Sequence, residues 1–170
     1  MNKNKGSFLL QINIMLMILC IILGCIYENY IQIIINAKKI NSDIEMYRVS
    51  RMIFAQLEKT IAYDTKLLEI RNNDWGNVLV SHSISGQKQV TFYCRKGPKT
   101  QDAMFYQKIQ VLGRRGGINP LSSPIVTMDR FSLKKVDNRT LVVSLEIHCK
   151  KDLRRRKFVE VVKLCNGSIS

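Results

Sequence analysis

The 170-residue chain predicts an α+β fold, in which a long N-terminal helix, half membrane-spanning and half amphipathic, packs on a small antiparallel β-sheet. Three observations carry that expectation. Phe8 to Tyr27 contains no charged residue. Residues 36–68 contain no Pro and no Gly, and their apolar residues recur at helical spacing. Beyond residue 71 the chain changes to short alternating apolar and polar runs, the period of a strand with one buried face. The boundaries that follow are a leader at 1–6, a transmembrane helix at 7–35, its amphipathic continuation at 36–70 and a β-rich domain at 71–170.

Met1-Asn-Lys-Asn-Lys-Gly6 is short, polar and basic. Phe8 to Tyr27 is interrupted only by Gln11, Asn13 and a few small residues, and the largely apolar helix extends to about Ile35 past Glu28, Asn29 and Gln32. About twenty helical residues at ~1.5 Å each span a ~30 Å hydrocarbon core, and a helix satisfies its own backbone there. Lys3, Lys5 and the terminal amine favour the inner side for the leader, while Lys38 and Lys39 offset part of that bias. The β-rich part is therefore expected outside the cytoplasm. An ordinary secretory signal has an apolar core of ~7–15 residues and a small-residue cleavage site, and this run is longer and has no such site. Ile22-Leu-Gly-Cys25 is similar to a lipobox with Cys25 as the acylated residue, which leaves a lipoprotein as an alternative. Against it, Ile26 to Ile35 continues apolar and helical where a lipoprotein has a polar tether.

At 100° per residue, Ile40, Met46, Tyr47, Ile53, Phe54, Leu57, Ile61 and Leu68 fall within an arc of about 140°. Lys38, Glu45, Arg48, Lys59 and Lys66 fall opposite, so one face is meant for burial. Asp43 lies inside the apolar arc and Arg51 at its edge. Joined to the apolar run, this makes a helix of about 55–60 residues, or ~85 Å.

Arg71-Asn-Asn-Asp-Trp-Gly-Asn77 has turn chemistry and is expected to end the helix. Asn77–Ser83 and Lys88–Cys94 flank Ser85-Gly86-Gln87 as a hairpin. Ala103–Leu112 is a third strand, Gly113-Arg-Arg-Gly-Gly117 a flexible turn, and Pro120 and Pro124 mark a loop. Arg130–Val136 is a weaker strand. Thr140–Cys149 alternates most clearly, and Lys157–Cys165 is its hairpin partner through a turn near Leu153. Of the five cysteines, Cys20 and Cys25 lie in the apolar run, leaving Cys94, Cys149 and Cys165. Three thiols allow one disulfide at most. Cys149 and Cys165 sit at opposite ends of the last hairpin, so Cys94 with Cys149 is the expected pair.

No catalytic constellation stands out. Gly-Arg-Arg-Gly-Gly lacks the Lys-Ser/Thr end of a P-loop. Ser81-His82-Ser83 has no Asp partner in view, and His82 and His148 have no ligand spacing around them. The expectation is no enzyme, no cofactor and no metal. The formal charge of +14, from 27 Lys and Arg against 13 acids, speaks to partners instead. Lys150, Lys151, Arg154, Arg155, Arg156 and Lys157 crowd one turn, Arg114 and Arg115 another, and Arg95, Lys96 and Lys99 a third. Such clusters are either solvated loops or contacts to a polyanion, namely DNA or an anionic wall polymer. Binding to duplex DNA would weaken with salt by ~0.9 log units per phosphate neutralised.

Lys5-Gly6-Ser7-Phe8-Leu9-Leu10-Gln11 resembles the type IV prepilin signature of basic residues, Gly and a hydrophobic stretch with a polar residue five places past the Gly. The order of elements behind it resembles the minor pseudopilins, both the competence-associated kind and the J-type of type II secretion. The resemblance implies a pilin-like fold and cleavage by prepilin peptidase between Gly6 and Ser7, followed by N-methylation. It implies that Gln11 takes part in assembly, at the position where most pilins carry Glu. A neutral Gln forms a weaker bond to a neighbour's ammonium than a carboxylate does, which suits a tip subunit better than a repeated one. The implied partners are other pilin-like subunits, prepilin peptidase, the inner assembly platform protein and the membrane. The implied location is a single-pass cell-membrane protein that enters a filament, with competence-type DNA uptake as the expected system. Type II secretion and the type IV pilus remain alternatives, as does an anchored module that binds an anionic polymer.

Overall fold

The computed structural model describes residues 4–74, 76–96 and 102–170, with side chains from Ser7 onward. Met1 to Lys3 of the leader, Trp75 and Lys99 lie outside the described residues. The fold is α+β, with one long N-terminal helix and a sheet of mostly antiparallel strands. The chain divides into two compact units, residues 1–41 and 42–170.

Helix α1 is Asn4–Asp64. In the first unit its large apolar side chains, from Phe8 to Ile35, are all exposed. The helix holds a stretch long and apolar enough, by length and composition, to cross a membrane.

In the second unit α1 buries Met46, Val49, Ile53, Phe54, Leu57 and Ile61. Their three- and four-residue spacing keeps them on one stripe, and a fully buried aliphatic side chain of this size contributes ~1.5–3 kcal/mol. Ser50 joins the buried face because its hydroxyl donates back to the Tyr47 carbonyl at 2.9 Å. Ile40 and Tyr47, expected on the stripe, are exposed.

The helix stops at Asp64, six residues short of the expected boundary at 70, and Thr65–Asn73 is strand β1. A helix leaves its last carbonyls without internal partners, and here the β-domain supplies them. The Thr65 hydroxyl reaches the Thr60 carbonyl at 3.0 Å and also bonds the Ser81 hydroxyl at 2.6 Å. The amides of Cys165 and Ile84 donate to the carbonyls of Ala62 and Asp64 at 3.0 and 3.2 Å. Leu68, expected as the last helical stripe residue, is buried from the strand instead.

The strands continue as β2 Gly76–Ser83, β3 Lys88–Lys96, β4 Ala103–Val111, β5 Arg114–Pro120, β6 Val126–Lys135, β7 Thr140–Cys149, β8 Arg155–Lys163 and β9 Ser168–Ile169. Their order is β5-β4-β3-β2-β6-β7-β8, with β1 also on β2 and β9 on β1. All ladders are antiparallel except β1–β9 and β2–β6. Arg71, Asn72 and Asn73, expected to end the helix, instead pair with Val78, Asn77 and Gly76 as the facing ends of β1 and β2.

The β2–β6 ladder is a single pairing of Gly76 with Phe131. Gly76 has φ +118°, and a methyl group there would collide with the Phe131 carbonyl. Asn77 extends the joint, its side-chain oxygen accepting from the Leu133 amide at 2.7 Å. Under the joint lies the aromatic centre of the core. Phe131 meets Phe105 edge-on with centroids 4.9 Å apart, and Phe105 stacks on Phe92 at 6.2 Å.

Two further expectations change. Gly113-Arg-Arg-Gly-Gly117 is not a flexible turn, because the bend is Leu112-Gly113, with Gly113 at φ +75°, and Arg114 opens edge strand β5. β5 is exposed along its whole length, so it shows no alternation to read. Cys94 and Cys149 are free thiols, both buried. They lie on β3 and β7, which β2 and β6 separate, so no ladder brings their backbones within bridging range.

Candidate functional site

Two regions carry the functional expectations. At the N-terminus, Gly6 and Ser7 lie within α1, and Gln11 follows Ser7 by one helical turn. Residues four apart share a helix face. Ser7 and Gln11 are exposed, and among the described residues Gln11 has no side-chain hydrogen bond. Cys25 is deep inside α1, where its carbonyl accepts from the Asn29 side chain at 2.9 Å.

The second region is the β7–β8 turn. Strands β7 and β8 pair from Thr140–Lys163 to His148–Arg155, so the cations of residues 150–157 collect at one end of the hairpin. Asp43 of α1 stands at the centre of this cluster. Arg154 and Arg156 both donate to it, at 2.9 and 3.2 Å. The sequence flaw in the stripe is thus a docking point for the hairpin. The hydrogen bond from Arg156 holds the Asp43 carboxyl below its ordinary value of 3.8, and Arg154 adds to the effect.

The other cations of the turn also find acids. Lys150 meets Asp102 at 2.6 Å, Arg155 meets Asp129 at 3.6 Å, and Lys157 meets Glu146 at 3.4 Å. Lys151 is exposed and makes no ion pair among the described residues. The six cations expected as a polyanion site are therefore partly neutralised, a signal that sequence alone did not carry. Finding it would have required pairing Asp43 and Asp102 with residues about 50–110 positions away, beyond any local spacing rule.

The remaining candidates do not join this cluster. Arg114 and Arg115 lie exposed on β5, and Arg95 is exposed near the end of β3. His148 pairs with Asp129 at 2.7 Å, and His82 with Glu69 at 3.2 Å. His82 also borders a cleft of about 360 Å³ with Lys88, Gln89, Gln110 and Leu112. Lys88 is tied to Asp64 at 3.1 Å. Among the described residues no group of three His, Cys, Asp or Glu is arranged to hold a metal ion.

No family model, curated protein or solved structure matches the chain.

Proposed function

We propose that this chain is a minor pseudopilin-like subunit of a type IV filament machine, of the competence DNA-uptake kind. It acts by helix-mediated assembly at or near the filament tip. The observation that carries this reading is the apolar run of α1, whose large side chains from Phe8 to Ile35 are exposed. A surface of this kind needs lipid or neighbouring helices.

The prepilin-like start supports the second occupant after the first. Prepilin peptidase would cut between Gly6 and Ser7, and the exposed run from Phe8 would leave the bilayer to pack on neighbouring helices. Gln11 would accept a hydrogen bond from a neighbour's terminal ammonium without supplying a charge. Its side chain is exposed, as such a partner requires.

Replacing Gln11 with Glu tests the role. Incorporation into pelleted filaments is expected to be kept or raised, since Glu supplies the charge. Loss of incorporation would contradict it. Against the lipoprotein alternative, residues 26–35 are helical where a lipoprotein continues into a polar tether.

A further inference from the structure

We infer that the β7–β8 turn is a contact loop for anionic lipid headgroups, with Leu153 as its apolar tip. The inference rests on the membrane-anchoring part of the proposed function.

Leu153 is the only non-glycine residue with positive φ among those described, at 54°. A β-carbon disfavours that conformation, and Gly or Asn normally takes such positions. The backbone is nonetheless pinned, with the Leu153 amide donating to the Cys149 carbonyl at 2.9 Å. The result is a large apolar side chain, 74% exposed, at the end of a hairpin.

Cations flank the tip, with one acid, Asp152, beside it and paired with Arg154. Lys151 is exposed and forms no close ion pair among the described residues, though its charge acts on Glu45, and the Arg155 side chain is 80% exposed although Asp129 lies 3.6 Å away. An exposed ion pair of this kind is weak and leaves its guanidinium free to meet a phosphate. An apolar tip within a basic collar matches the margin of a bilayer, where acyl chains lie beneath charged headgroups.

Chain connectivity favours the membrane as the phosphate source. Arg154 and Arg156 hold the hairpin to Asp43, eight residues past Ile35. Eight residues reach at most ~28 Å even when fully extended. Duplex DNA offers phosphates too, but it has no apolar layer to receive Leu153.

The test uses the full chain with Trp75→Tyr and Leu153→Trp, reconstituted into vesicles of phosphatidylcholine alone or mixed with phosphatidylglycerol. In the mixed vesicles the Trp emission is expected to shift to the blue and to be quenched by acyl-brominated lipid. The shift should be lost in pure phosphatidylcholine, in a Lys151→Glu/Arg155→Gln background, and in 1 M salt, where the screening length falls to ~3 Å. Leu112→Trp, at the exposed β4–β5 turn, should keep an aqueous spectrum in both vesicles. Water-like emission from Leu153→Trp in protein that floats with the mixed vesicles would overturn the inference while leaving the anchor intact. A shift produced by added duplex DNA without anionic lipid would overturn it in favour of nucleic acid. Protein that fails to float with vesicles would overturn the anchoring reading, and this inference with it.

Discussion

Asp43 breaks the apolar stripe of α1, and Arg154 and Arg156 account for it. Its folded carboxyl titrates below the ordinary value of 3.8, so the unfolded chain binds its proton first as pH falls. The sign follows from that order: the stabilisation is complete above the unfolded value and is lost as pH drops through the folded one. Asp43→Asn should therefore lower the melting temperature by a few degrees at neutral pH and by less at a pH below the ordinary value of 3.8. Equal loss at both pH values would deny the ion-pair origin. Gly76 is a second residue that its position explains. Gly76→Ala places a methyl against the Phe131 carbonyl at φ +118°, and a cost of about 2–4 kcal/mol in urea unfolding is expected. Burial pushes the Cys94 thiol up to about 12, so it should resist a thiol reagent until the protein unfolds, whereas exposed Cys165 reacts in the native state. A faster reaction at Cys94 than at Cys165 would contradict the packing described. Neither Gly76 nor Asp43 was legible as such in the sequence, because each answers to a partner far along the chain.

At the scale of elements, legibility follows the regularity of burial. Strand β7 is legible with its observed bounds because Leu141, Val143, Leu145 and Ile147 are buried at alternate positions, with Ser144 the one residue between them that is buried too. The β2–β3 hairpin was legible from its turn residues, and Gly86 does adopt a positive φ, at 70°. Strand β1 is not legible in the sequence because Ile61 and Leu68 continue a helical stripe as well as they begin a strand, and no Gly or Pro intervenes. What decides is tertiary: the Thr65 hydroxyl and the amides of Ile84 and Cys165 satisfy the helix end. Strand β5 was missed for the opposite reason, since an exposed edge strand needs no pattern. The packing of α1 on the sheet has its own test. Leu57 is fully buried, and Leu57→Ala should cost about 2–5 kcal/mol with the α+β signature retained in circular dichroism. A cost below ~1 kcal/mol would mean that this face of α1 does not hold the domain together.

At the scale of the molecule, two surfaces remain unsatisfied by the fold. One is the apolar run of α1, which was plain in the sequence as an uncharged stretch from Phe8 to Tyr27. The other is the positive charge, which the sequence showed as clusters and the structure shows partly engaged in ion pairs. Charge of that kind positions the hairpin on α1 as well as facing outward, so the basic turn is first a structural latch. The filament reading depends most on where the mature chain begins. Mass spectrometry of the N-terminal peptide of the protein isolated from its own membrane measures that directly. A chain beginning at Ser7, with or without a methyl group on its amine, is the predicted result. An intact Met1, or a lipidated chain beginning at Cys25, would contradict it.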